Sequence, residues 1–208
     1  MGKKIISEAV IKRLPKYYRA VKHLSEQNVE KISSKHLAEL LGITASQVRQ
    51  DFCNFGGFGQ QGYGYDVEKL KSELAAIIGL DEQYNVVIVG AGNIGRALGG
   101  YQGFEKYGFK VQAMFDTNPI VDNVNGIKVY NMSQFGEYVQ THKTDMAVIA
   151  TPKAAAQGVA DTIIANGIKS IWNFAPIDLH IPDDIAIENI SMSESLLVLS
   201  YRAKIKNK

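Results

Sequence analysis

Val86-Val87-Ile88-Val89-Gly90-Ala91-Gly92-Asn93-Ile94-Gly95 is the stretch whose reading decides the fold. Four consecutive β-branched residues read as a buried strand, and the Gly-x-Gly-x-x-Gly behind them opens a helix. The glycines permit a tight turn and a close approach of backbone to ligand. The helix start then faces the charge of a pyrophosphate, so residues 90–95 predict a dinucleotide-binding turn.

Downstream, Asp116 lies 21 residues past Gly95, at the end of the next apolar run. An acid there bonds the adenosine ribose hydroxyls and repels a 2′-phosphate, which favours NAD(H) over NADP(H). A carboxylate capping the loop before Pro119 is the other reading of the same residue. Strand and helix patterns alternate through 86–89, 93–102, 110–116, 134–141, 146–150, 154–166 and 170–173, which predicts a parallel sheet with helices on both faces.

Upstream the chain is different. Residues 1–50 carry ten Lys or Arg against four Glu, whereas the whole chain of 208 residues has a formal charge of only +2. A basic lobe on a mildly acidic body suits a phosphate-backbone partner at one end, although on charge alone the basic residues could simply solvate helix faces. Val10, Ile11, Leu14, Tyr17, Tyr18 and Val21 fall at helical spacing, with Pro15 expected to end or kink the first helix. Ser33 or Ser34 caps a second helix, which Leu37, Leu40 and Leu41 are expected to bury and Gly42 to stop. Thr44 caps a third, from 45 to about 52. Helix, glycine turn and helix in this compass form a helix-turn-helix. Val48 and Phe52 lie four apart and turn inward, leaving Ser46, Gln47, Arg49 and Gln50 to reach base edges or phosphates. Residues 55–65, a second glycine-rich run with interspersed Phe and Tyr, read as an extended loop of the kind that lies against a nucleic-acid backbone. A further helix over 66–80 and a hinge over 81–84 lead into the strand at 86. Near the C-terminus, Leu196, Leu197, Val198, Leu199 and Tyr201 put apolar groups nearly all round a helix that spans 192 to about 205, which calls for burial on several sides.

Several function classes fall away. Cys53 is the single cysteine, so neither an intrachain disulfide nor a cysteine zinc site can form. His23, His36, His142 and His180 lack ligand spacing, and no metal is expected. Nothing after Met1 resembles a signal peptide and no apolar run reaches membrane length, so a cytoplasmic location is expected and the sequons at Asn131 and Asn189 read as chance matches. Tyr65 and Lys69 have the spacing of a short-chain dehydrogenase pair but precede the dinucleotide fold. An NAD-dependent oxidoreductase with an appended nucleic-acid module is the alternative function; a nucleotide- or CoA-binding domain serving assembly is a third.

Arg13-Leu14-Pro15-Lys16-Tyr17-Tyr18-Arg19, Gln47-Val48-Arg49-Gln50-Asp51, the Phe-Gly segment ending Gly62-Tyr63-Gly64-Tyr65-Asp66, residues 90–95, Phe115-Asp116 and Asn173-Phe174-Ala175-Pro176 together resemble the redox-sensing transcriptional repressors of the Rex family. The resemblance covers nearly the whole chain. It implies an N-terminal winged helix-turn-helix domain (1–82), a Rossmann-like parallel-sheet domain that binds NADH or NAD+ (83–190) and a C-terminal helix exchanged between subunits of a homodimer (191–208). It implies a non-enzymatic repressor that NADH releases from an inverted-repeat operator. Cofactor contacts are then expected from Gly90, Ala91, Gly92, Asn93, Ile94, Gly95, Tyr101, Asp116, Thr151, Pro152 and Asn173. DNA contacts are expected from Lys16, Ser46, Gln47, Arg49, Gln50, Gln60 and Gln61. Members of the family often carry Lys at the position of Gln50 and Lys-Arg at those of Gln60-Gln61, so the electrostatic attraction is expected to be weaker here. Where an aspartate that could pair with Arg13 is common, this chain has Ser191.

Overall fold

The structure is a computed structural model that describes residues 6–58 and 63–206. The chain divides into two compact units, Met1–Glu82 and Gln83–Lys208.

In the first unit, α1 (Glu8–Ile11) is followed by α2 (Leu14–Glu26), β1 (Lys31–Ile32), α3 (Ser34–Leu41), α4 (Ala45–Cys53), β2 (Tyr65–Asp66) and α5 (Val67–Ile78). The helical run breaks just before Pro15, which sits in the first turn of α2, where its missing N–H has no partner to lose. The break falls at Lys12 and Arg13. Ser33 caps α3 by accepting from the His36 N–H, Gly42 ends it at φ 66°, and Thr44 caps α4 by accepting from the Gln47 N–H. β1 and β2 pair antiparallel, Ile32 opposite Tyr65. At Gly64, φ is +75° and a Cβ would stand 2.7 Å from the Ile32 carbonyl oxygen, so the ribbon closes only around a glycine.

The core of this unit gathers Leu14, Tyr17, Val21, Leu37, Val48, Phe52, Leu70 and Leu74. Leu40, expected to be buried, is 52% exposed, because α3 turns Leu37, Ala38 and the half-buried Leu41 to the core. Phe52 meets the rings of Tyr17, Phe58 and Tyr65 edge-on, with centroids 4.9, 4.8 and 5.2 Å away. Phe58 and Tyr65 both belong to the glycine-rich run of residues 55–65, so one ring on α4 holds that run at two points.

The second unit runs β3 (Tyr84–Val89), α6 (Asn93–Gly99), a single-turn helix (Glu105–Tyr107), β4 (Phe109–Asp116), β5 (Asn123–Val124), β6 (Ile127–Asn131), a second single turn (Met132–Gln134), α7 (Phe135–Thr141), β7 (Met146–Ile149), α8 (Lys153–Ala165), β8 (Ser170–Asn173), β9 (Ala186–Asn189) and α9 (Met192–Lys206). The sheet order is β5-β6-β4-β3-β7-β8-β9, parallel except where β5 meets β6. Strand order reverses between β3 and β7, the switch point at which open α/β sheets bind ligands. Val87, Val89, Ala113 and Phe115 pack on one face with Phe135, Ala156, Ala160 and Ile163; Val86, Ile88, Met114 and Val148 pack on the other. Burial on both faces is what the unbroken β-branched run encodes. β5, β6 and β9 extend the sheet beyond the strands expected, and α6 stops at Gly99 rather than 102.

α9 buries none of its residues against the chain. Ser191 caps it, its Oγ accepting from the Glu194 N–H at 3.2 Å.

Candidate dinucleotide site and nucleic-acid interface

The glycine turn leaves β3 at the switch point, and its three glycines do different work. Gly90 has φ +104° and a Cβ there would stand 2.5 Å from the Ala150 carbonyl oxygen, so the turn passes against the end of β7 only without a side chain. A Cβ at Gly95 would fall inside the Gly90 carbonyl oxygen; this glycine lets α6 pack on β3. Gly92 meets nothing within 4 Å, although it caps a helix whose first N–H groups have no side-chain cap. An open glycine before a bare helix start is a cradle that a Cβ would fill, and it fits the backbone approach of a pyrophosphate. Asn93 is exposed and holds Arg96 through its side chain at 3.0 Å, and Ile94 is half-buried beside it.

Asp116 ends β4 beside this turn. Its Oδ2 accepts from the Ala91 N–H at 2.7 Å and its Oδ1 from the Asn118 N–H at 2.9 Å. The carboxylate therefore braces both the glycine turn and the loop before Pro119. Each oxygen keeps a second lone pair, enough for the two hydroxyls of a ribose.

Across the switch point, Thr151 follows β7 with a buried hydroxyl that has no hydrogen-bond partner among the described residues. A buried polar atom without a partner is uncommon, and at this crevice it marks a group that a ligand can satisfy. Pro152 is exposed and caps α8. Asn173 is buried and engaged within the chain: its Nδ2 donates to the Ile177 carbonyl (2.9 Å) and to Asn189 Oδ1 (2.8 Å), and its Oδ1 accepts from the Ala175 N–H (3.0 Å). Its amide thus shapes the turn after β8. Tyr101, 59% exposed, stands edge-on to Phe104, which meets Trp172, which meets Phe174, at centroid distances of 4.8, 5.7 and 4.6 Å. Trp172 and Phe174 are two residues apart, whereas the contact of Phe104 with Trp172 joins distant parts of the chain that no spacing relates.

On the other unit, Ser46, Arg49 and Gln50 are exposed on α4, and Lys16 is exposed on α2. Arg49 donates to Ser34 Oγ at 3.1 Å. Gln60 and Gln61 lie outside the described residues. Gln47 is only half-exposed because its Nε2 donates to Asp51 Oδ1 at 2.7 Å. Asp51 itself is fully buried and takes Arg13 Nε at 2.6 Å, Arg13 Nη2 at 2.9 Å and the Tyr17 hydroxyl at 2.7 Å. Burial alone would raise its carboxyl, but hydrogen bonds from Arg13, Tyr17 and Gln47 together with the charge of Arg13 hold it below the usual carboxylate range. Burial, reinforced by Asp51, pushes the Tyr17 phenol far above its ordinary value. The sequence did contain a signal for this network: Val48, Asp51 and Phe52 share one helix face, and a carboxylate turned inward requires a cation.

Among the described residues no group of three His, Cys, Asp or Glu side chains gathers as for a metal, and no helix is long and apolar enough to cross a membrane.

Two known families match. The CoA binding domain matches residues 81–177, and the putative DNA-binding protein N-terminus matches residues 5–53. The redox-sensing transcriptional repressor Rex of Clostridium novyi (strain NT) is 50% identical over 201 residues, covering 96% of each chain. The crystal structure of RSP in complex with β-NAD+ and operator DNA is similar with a TM-score of 0.93 at 46% identity, covering 99% of this chain and 95% of that one. RSP in complex with β-NADH gives 0.90 at 43% identity, covering 99% and 97%.

Proposed function

This chain belongs to the Rex family of redox-sensing transcriptional repressors, and on that premise we propose how its parts divide the work. The protein is a DNA-binding repressor that senses the NADH/NAD+ ratio and leaves its operator when NADH binds. Residues 1–82 bind operator DNA, residues 83–190 hold NADH or NAD+, and residues 191–208 join two copies into a homodimer. The observation that carries this division is the turn at residues 90–95, with Gly92 open and the Ala91 N–H held by Asp116.

In this reading the backbone of residues 90–95 receives the pyrophosphate, Asp116 binds the adenosine ribose, and Thr151 and Pro152 line the far side of the crevice. Tyr101 faces the nicotinamide end. The bound dinucleotide supplies a charge difference: oxidised nicotinamide is positive and the reduced ring is neutral. A site that buries the ring among apolar side chains without a compensating carboxylate penalises the charged form, so NADH binds more tightly than NAD+. Lys16, Ser46, Gln47, Arg49, Gln50, Gln60 and Gln61 face DNA, and a two-fold dimer presents the set twice to an inverted repeat.

The protein acts in the cytoplasm as a regulator and not as a catalyst. Tyr65 and Lys69, the one dehydrogenase-like spacing, lie in the first unit, where Tyr65 is buried against Phe52 and Lys69 pairs with Glu73. The test is linkage. With a duplex selected from a randomised library, saturating NADH lowers DNA affinity, and that duplex lowers NADH affinity by the same factor. Equal DNA affinity with and without NADH would overturn the sensory role.

A further inference from the structure

The buried carboxylate of Asp51 determines which atoms of Gln47 face outward. Each Asp51 oxygen takes two donors, Oδ2 from Arg13 Nε and the Tyr17 hydroxyl, Oδ1 from Arg13 Nη2 and Gln47 Nε2. All four lone-pair positions are therefore filled, and the group is held ionised. An ionised carboxylate only accepts, so the Gln47 nitrogen must face it and the amide cannot be turned round. One N–H of that nitrogen is taken by Asp51. The other N–H, and Oε1, to which nothing among the described residues donates, remain as a donor beside an acceptor on the half-exposed side of α4.

In the major groove only adenine offers the complement, an acceptor N7 beside a donor N6 amino group. Guanine offers two acceptors, N7 and O6, and would set O6 against Oε1. Thymine and cytosine each offer a single polar group. We propose that Gln47 is a specificity-determining residue that reads one adenine in each operator half-site, and that Asp51 is the positioning residue that fixes its amide. The proposal rests on the reading that residues 1–82 bind operator DNA. Arg49 and Lys16 can bind phosphates or bases wherever they reach, but the orientation of the Gln47 amide is set from behind, by a network reaching to α2. Fixing it before DNA arrives reduces the side-chain freedom lost on binding.

The test begins by selecting a consensus with the full chain from a randomised duplex library. Each adenine of that consensus is then replaced in turn by guanine, by 7-deazaadenine, which lacks N7, and by purine, which lacks the amino group. At one adenine per half-site all three replacements are expected to weaken binding by about five- to a hundredfold, the range of one bidentate base contact. Gln47→Ala is expected to abolish discrimination at that position alone, leaving the other positions and the salt dependence unchanged. Asp51→Asn, if folded by its thermal transition, is expected to relax the same position and no other. If Asp51→Asn does not fold, Gln47→Ala alone decides, since its side chain is outside the core. A Gln47→Ala protein that keeps the original preference at every position overturns the proposal. An original chain that selects no consensus overturns the DNA-binding reading instead.

Discussion

Arg13 grips Asp51 through two hydrogen bonds, Nε to Oδ2 at 2.6 Å and Nη2 to Oδ1 at 2.9 Å, and so ties α2 to the buried face of α4. In many family members an aspartate at the start of the last helix could pair with this arginine. The family resemblance sets Ser191 at that position; Ser191 caps α9, and Arg13 has a carboxylate within its own unit.

Arg13→Ala leaves a fully buried carboxylate with neutral donors only. Removing one partner of a buried pair costs about 3–5 kcal/mol. Denaturant unfolding of the full chain is expected to show a loss of this order in the first transition. Replacing both residues by apolar ones, Arg13→Met with Asp51→Leu, is expected to restore most of it. A loss below about 1 kcal/mol in the single variant would mean that water reaches Asp51 after all.

The same pair predicts an acid limb. Asp51 has a folded-state pKa below its unfolded value of about 3.9, so between the two the unfolded chain binds more protons. Stability from this group is complete above about pH 4 and is lost as pH falls through the folded-state value. Thermal unfolding against pH is expected to steepen below about pH 4 in the original chain and to flatten in Asp51→Asn. Parallel curves for the two proteins would assign the acid limb to other carboxylates.

Gly92→Ala and Gly95→Ala separate ligand contact from packing. A Cβ at Gly92 meets no protein atom, so that variant should melt within about 1 kcal/mol of the original while losing NADH binding, as calorimetry would show. A Cβ at Gly95 collides with the Gly90 carbonyl, so that variant should lose both stability and binding. If Gly92→Ala binds NADH undiminished, the dinucleotide does not approach this turn.

What the sequence disclosed follows from how local each signal is. Val86 to Val89 are all β-branched and the glycines stand at fixed offsets, so strand, turn and helix could be read together. Gly42 and Thr44 marked the turn of the helix-turn-helix in the same local way, and both act as expected. β9 was silent because its residues are mostly exposed, leaving no apolar pattern. β6 was silent because Ile127, Lys128 and Val129 alternate over too short a run to separate from a loop. Asp51 shares the inward face of α4 with Val48 and Phe52, but its partner Arg13 is distant in sequence, so spacing alone does not identify the pair. Trp172 and Phe174 are two apart and so neighbours by spacing, but the contact of Phe104 with Trp172 joins residues distant in sequence, which spacing does not encode.

Asp116→Ala removes the acceptor for the Ala91 N–H and, with it, the group that would bind the ribose diol. A charged hydrogen bond contributes about 1.5–3 kcal/mol, so NADH affinity should fall by at least tenfold. NADPH should lose less, because its 2′-phosphate no longer meets a negative charge. The quantity to measure is the ratio of the two dissociation constants. A ratio unchanged from the original chain would move cofactor selection away from Asp116.

α9 bears on assembly. Leu196, Leu197, Val198, Leu199, Tyr201 and Ile205 are each more than half exposed, and they do not line up on one side of the helix. A stripe could be covered by docking the helix on one surface, but groups on all sides need walls on several, which a second copy of the chain provides by exchange. Leu196→Glu with Leu199→Glu places two charges in that contact while leaving helix propensity nearly intact. Sedimentation of the double variant is expected to show monomer at concentrations where the original chain is a dimer. Because an inverted repeat rewards two linked domains through effective concentration, the monomer should lose at least a hundredfold in affinity for the two-half-site duplex and little for a single half-site. Dimers of the original affinity from the double variant would show that the two copies meet elsewhere, and α9 would then need another cover.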